Sequence, residues 1–160
     1  MSTHKDADGN VLMVDVSAKN TTTRTARAEG RISVTPAIMA TLREGRGAKG
    51  DVLTVAQLAG IMGAKRASDL IPLCHPIPLA NCKVLLELEE ASLRAICEVK
   101  TAHQTGVEME AMTGVSIALL TVYDMCKGID KGMVITDIRL LSKTGGQSGE
   151  YTRDRRPWCG

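Results

Sequence analysis

The sequence predicts an α+β fold in a single domain, and three observations carry that expectation. Apolar residues alternate in some segments and recur at helical spacing in others, in the order strand, helix pair, strand, strand, helix, strand. The two central strand segments are joined at Glu90 and Ala91, as in a hairpin. Pro36, Gly45 and Pro72 fall where helices must begin or stop. This is the ferredoxin-like βαββαβ order with one extra helix in the first crossover.

Taken in order, residues 1–12 read as a flexible tail, polar and carrying the turn signal Asp8, Gly9, Asn10. Residues 23–34 alternate loosely and form the first strand. In the helix that follows, Thr35 can cap the free amides, Pro36 suits the first turn and Gly45 can end it. A basic, glycine-rich segment leads through Lys49 to a second helix, in which Val52, Val55, Leu58, Ala59 and Met62 share one face. Pro72 prevents that helix from continuing. Residues 81–90 and 92–100 alternate as the hairpin strands. Residues 106–127 are almost continuously apolar, which predicts a buried helix with Gly128 as its terminator. Residues 133–143 make the last strand, and residues 150–160 form a second flexible tail, leaving 13–149 as the folded domain.

At 160 residues the chain can bury a core without disulfides or a structural metal. Its five cysteines form no CxxC unit and their number is odd, which points to a reducing cytoplasm. The N-terminus lacks the apolar stretch of a signal peptide, and no apolar run reaches membrane-spanning length. A net charge of +2 is too balanced for a broad electrostatic footprint on nucleic acid. With no Phe, two Tyr and one Trp there is no platform on which bases could stack, so RNA binding of the stacking type is disfavoured. The core must be aliphatic, with eight Met to fill gaps.

The stretch DLIPLCHPIPL, residues 69–79, sets Cys74 beside His75 in an apolar run cut by three prolines. Proline fixes one backbone angle and pushes the residue before it toward extended geometry, so His75 sits in a stiff, non-helical segment. The pair reads either as a small core thiol with a hydrogen-bonded histidine or as a rigid presenting loop. A Cys–His nucleophilic dyad fits less well, because neighbours in an extended segment point to opposite sides. No further ligands stand at zinc spacing.

Glu108 and Glu110 lead into the most apolar helix; at this spacing they face the same way only if the segment is extended. They read as an acidic first turn or as paired functional carboxyls. At the other end Asp124 and Lys127 are neighbours on one helical face, either a surface ion pair or a buried acid–base set joined by other cations. Lys49 and Lys143 abut glycines, where amides and a cation can together receive an anion; Lys65, Arg66 and Lys131 are further candidates. These features point to a phosphate-bearing small molecule.

Three blocks, residues 48–79, 105–135 and 140–149, closely resemble the MoaC family, the cyclic pyranopterin monophosphate synthases of molybdenum cofactor biosynthesis. The likeness runs from about residue 13 to residue 149, and DLIPLCHP followed by TGVEMEA is a highly specific combination. It implies a ferredoxin-like subunit in a homohexamer, a trimer of dimers, with active sites at subunit interfaces. The implied reaction rearranges a 3′,8-cyclo-7,8-dihydro derivative of GTP to a pterin bearing a cyclic phosphate, with loss of pyrophosphate, and calls for no redox cofactor or metal. Carried over residue by residue, Asp124, Lys49 and Lys127 are the catalytic group, and Leu73, Cys74, His75, Met109 and Glu110 contact substrate. Arg24, Lys65, Arg66, Glu108 and Lys143 match supporting positions. Gln147 departs from the lysine expected in many relatives and is left out of the site.

The implied chemistry agrees with the residues. A triphosphate needs several cations, and ring opening and re-closure need acid and base groups of separated pKa. Clustered lysines are expected to depress one another's pKa, so that one serves as base. The competing class is a non-catalytic nucleotide-binding module on the same fold, which would need no proton-transfer set.

Overall fold

In the computed structural model, which describes residues 4–45 and 49–153, the chain runs β1 (Thr22–Ser33), α1 (Pro36–Glu44), α2 (Val52–Lys65), α3 (Ala67–Leu70), β2 (Asn81–Leu88), β3 (Ser92–His103), α4 (Glu108–Cys126), β4 (Ile135–Thr144) and β5 (Tyr151–Thr152). The sheet order is β2-β3-β1-β4-β5 with every pair antiparallel. Its first four strands have the ferredoxin-like arrangement. Parts of both expected tails, residues 1–3 and 154–160, lie outside the described residues, as do 46–48 of the glycine-rich segment.

Local signals set the first crossover. The Thr35 hydroxyl accepts from the Ile38 amide at 3.5 Å, Pro36 opens α1, and Gly45 ends it at φ 65°, a left-handed geometry that glycine adopts without strain. Asp51 caps α2 by accepting from the Thr54 amide at 3.1 Å. The expected second helix is split: α2 ends at Lys65 and the single turn α3 follows Arg66, at φ −113°. Gly128 does not terminate α4 through left-handed geometry; the helix closes at Lys127, whose amide still donates to the Tyr123 carbonyl at 2.8 Å.

The layers approach closely because their contact faces are small. Ala26, Ala28, Gly30 and Ile32 share one face of β1 under α4, and a methyl group on Gly30 would come within 2.8 Å of the Val115 side chain. Where α2 crosses α4, a methyl on Gly60 would lie 2.9 Å from the Gly114 carbonyl oxygen, and one on Gly114 would lie 2.6 Å from Cys97 Sγ. Aliphatic side chains such as Ile32, Ile38, Leu42, Leu93 and Leu119 fill the remaining space.

The opposite face of the sheet places Ile96 and Leu85 beside a charged cluster that is satisfied by pairing. Glu29, 2% exposed, receives Arg94 at 2.6 Å on one carboxyl oxygen and Arg139 at 2.6 Å on the other. Burial pushes its carboxyl up, but the guanidinium hydrogen bonds outweigh burial and hold it below the usual range. Two segments expected as tails carry structure. Asp6 organises a turn over residues 6–10, with a bridge between Lys5 and Val11, and Tyr151–Thr152 adds a short strand to the edge of β4. Among the described residues, no helix is long and apolar enough to cross a membrane.

Candidate active site

The candidate residues gather at the two ends of α4. At its C-terminal end Lys127 Nζ lies 2.8 Å from Asp124 Oδ1, and Lys49 Nζ lies 3.1 Å from Asp124 Oδ2 and 3.2 Å from the Asp124 carbonyl oxygen. The hydrogen bonds from Lys127 and then Lys49 hold the aspartate below the ordinary carboxylate range. Asp124 in turn raises the pKa of Lys127. Two expectations are corrected here. The set is not buried within one chain, for Asp124, Lys49 and Lys127 are each about half exposed or more. Lys127 is not depressed by its neighbours, because the carboxylate between the two amines outweighs their mutual repulsion.

At the N-terminal end of α4 a cavity of about 420 Å³ brings together Leu73, Cys74, His75, Glu108, Met109 and Glu110. The loop before β2 is held by Cys74 N–H donating to the Ile71 carbonyl and by Thr101 Oγ1 donating to the Pro78 carbonyl at 2.7 Å. His75 Nε2 lies 2.8 Å from the Val14 carbonyl oxygen, which can only accept, so Nε2 carries the proton and Nδ1 is left as the other ring site. Cys74 Sγ points at Glu110 Oε1 at 3.6 Å. Burial first, then the Glu110 charge, pushes this thiol up to about 11.

On the helix the two glutamates diverge, as the spacing requires. Glu110 is 3% exposed with Oε2 unpartnered, and burial pushes its carboxyl up. Glu108 instead turns toward Lys143, 3.4 Å away, whose amine also donates to Ser148 Oγ at 2.5 Å. No side chain caps this end of α4. Arg24 stands close by, where a methyl on Gly146 would collide with its guanidinium. Its Nε and Nη2 donate to the carbonyls of His103 and Gln104 at 2.9 Å, so much of the fork holds the turn before α4.

Lys65 and Arg66 stand apart from both groups at the end of α2; Arg66 pairs with Asp69 at 3.7 Å beside an apolar groove lined by Met62, Leu70 and Ile117. Gln147 is exposed. Sequence reasoning missed His4, Val14, Val16 and Lys19, which form a wall of the cavity. The signal that could have found them is Asp6 ahead of Gly9 and Asn10, a side chain able to close a turn on its own backbone. Among the described residues, no group of three or more His, Cys, Asp and Glu side chains is placed to hold a metal ion.

A carboxylate clamped by two ammonium groups, and a cavity combining a buried carboxyl, an imidazole and a lysine–glutamate pair, are groups suited to acid–base chemistry on a small molecule, carried on a ferredoxin-like subunit. Residues 13–146 match the model of the MoaC family, and the chain belongs to that family. It is 54% identical to a protein of Pelobacter propionicus over 94% of this chain and 96% of the relative. It is 56% identical to one of Rhodospirillum rubrum over 94% of this chain and 92% of the relative, and 53% identical to one of Streptomyces coelicolor over 94% and 89%. All three relatives bear the name cyclic pyranopterin monophosphate synthase.

Proposed function

We propose that the chain converts 3′,8-cyclo-7,8-dihydroguanosine 5′-triphosphate to cyclic pyranopterin monophosphate with release of pyrophosphate, a phosphorus–oxygen lyase step of molybdenum cofactor biosynthesis carried out in the cytoplasm. The observation that carries this reading is Asp124 held between Lys49 and Lys127. In the last stage a sugar-derived hydroxyl attacks the α-phosphorus, the bond to the β-phosphate oxygen breaks, and pyrophosphate departs. The two ammonium groups can hold phosphate oxygens or deliver protons, while the ionised Asp124 orients them and can accept a proton. In the cavity, Glu110, His75 and the backbone near Met109 are suited to hydrogen-bond the edges of a purine-derived ring. Arg24 and Lys143 support that end, and Lys65 and Arg66 remain supporting cations.

Acid–base groups must reach one reacting centre at hydrogen-bond distance. Along α4, at about 1.5 Å per residue, Glu110 and Asp124 are about 21 Å apart. This separation supports composite sites, in which a two-fold axis sets the cavity of one protomer against the Asp124 end of its partner; the homohexamer built as a trimer of dimers is what the family resemblance implies. No nucleic acid or membrane is needed. The test is to incubate the purified protein with the cyclised GTP intermediate and assay pyrophosphate and the pterin product. Turnover supports the reading. Tight binding without product would favour the nucleotide-sensing module instead.

A further inference from the structure

We infer that the N-terminal segment, residues 4–19, is a working wall of the substrate cavity, in which His4 contacts substrate and Asp6 is the residue that positions it. The inference rests on reading that cavity as the substrate site. His4, Val14, Val16 and Lys19 line one side, facing the His75 loop and the start of α4. The segment is mostly exposed, with Leu12, Val14 and Val16 only half-buried, so apolar burial alone does not fix its path. Hydrogen bonds do. Asp6 Oδ1 accepts from the amides of Asp8 at 3.0 Å and Asn10 at 2.8 Å, and Oδ2 accepts from the Asn10 side chain at 3.0 Å. With Gly9 at φ 83° the chain doubles back, and the Leu12 amide donates to the His4 carbonyl at 3.1 Å, which fixes where His4 stands. Past the turn, His75 grips the Val14 carbonyl at 2.8 Å, tying the strap to a loop already in the site.

The chemistry of the cavity shows what the strap adds. The start of α4 supplies Glu108 and Glu110, and Glu110 Oε2 is buried without a partner. A purine-derived ring carries acceptors as well as the N–H groups that carboxyls can receive, so it needs hydrogen-bond donors on another side of the same space, and the strap supplies an imidazole at His4 and an amine at Lys19.

The test measures steady-state pyrophosphate release for His4→Ala, His4→Gln, Asp6→Ala and Asp6→Asn in the full-length protein. Losing a hydrogen bond to the substrate predicts a KM raised about tenfold in His4→Ala, with kcat changed by less than about threefold. Glutamine keeps a donor and should recover part of the loss. Asp6→Ala should follow His4→Ala, whereas Asp6→Asn, which keeps an oxygen for the turn amides, should follow wild type. A His4→Ala KM within about twofold of wild type overturns the inference. Calorimetric titration with GTP, which shares the ring system and the triphosphate, reads the same contact without turnover. Binding about tenfold weaker in His4→Ala supports the strap, while equal affinity, or no binding by wild type, overturns it. A wild-type protein that binds GTP yet makes no product from the cyclised intermediate sinks the proposed reaction, and the GTP comparison still decides the strap.

Discussion

Lys49 reaches Asp124 across 75 positions of sequence, with its amine on both the carboxylate and the backbone carbonyl of the same residue. Lys127 occupies the other carboxylate oxygen at 2.8 Å. The three side chains are about half exposed or more, and ion pairs this exposed contribute little to stability. Folding stability therefore does not account for the arrangement.

Asp124→Asn should lower turnover by a factor on the order of a hundred or more, the scale of lost acid–base catalysis, with little change in melting temperature. Lys127→Met should do the same if that amine delivers a proton, and should weaken substrate binding as well if it mainly holds phosphate. Turnover of Asp124→Asn within about threefold of wild type would leave only an ion pair, and the site would then centre on Lys49, Glu108 and Glu110.

Glu110 should make stability pH-dependent. Burial raises its folded-state pKa above the ordinary 4.5, so over the window between the two values the folded chain keeps a proton that the unfolded chain has lost. Stability falls as pH rises through that window. In Glu110→Gln this dependence is absent, and the variant's melting temperature relative to wild type should climb from acid toward neutral pH. A difference that stays constant with pH would contradict the assignment.

Cys74 should not act as a nucleophile, since a thiol pushed up to about 11 stays protonated at neutral pH. Cys74→Ala is expected to keep about a tenth or more of wild-type turnover, because the reaction needs no thiolate attack. Complete loss of rate, with folding and substrate binding intact, would reverse that conclusion.

Composite sites predict complementation. Asp124→Asn and His75→Ala damage opposite ends of α4, so mixing the two inactive proteins under subunit exchange should restore turnover through sites that draw one intact end from each chain. Light scattering gives an independent check. A fully active monomer, or a mixture no better than its components, would rule the arrangement out.

The helix crossing should be intolerant of added volume. A methyl group at Gly114 would sit 2.6 Å from Cys97 Sγ, so Gly114→Ala should destabilise the protein by about 1–3 kcal/mol in chemical denaturation, the range for overpacking a filled core.

What the sequence made legible was local. Thr35, Pro36 and Gly45 mark α1 because caps and turns depend on a few adjacent residues, and alternation around Glu90 and Ala91 marks the β2–β3 hairpin. The break at Arg66 carries no glycine or proline and was invisible for that reason. Two-residue β5 exists only as an addition to the edge of β4, and the Asp6 turn was hidden in a segment whose composition reads as tail. Most candidate site residues stood out by type and spacing, at both ends of the expected helix, and the family resemblance added Arg24, Leu73, Met109 and the implied roles, whereas the exposure of Asp124 and Lys127 and the arrival of Lys49 beside them are properties of three-dimensional packing.

Helix α4 is, in effect, a ruler. Each residue advances the chain by about 1.5 Å and turns it by about 100°, so one residue inserted or deleted between Glu110 and Asp124 would swing the far functional group to another side of the subunit even if every contact elsewhere survived. Under the proposed composite site, packing limits substitution along the middle of this helix, while the site limits its length.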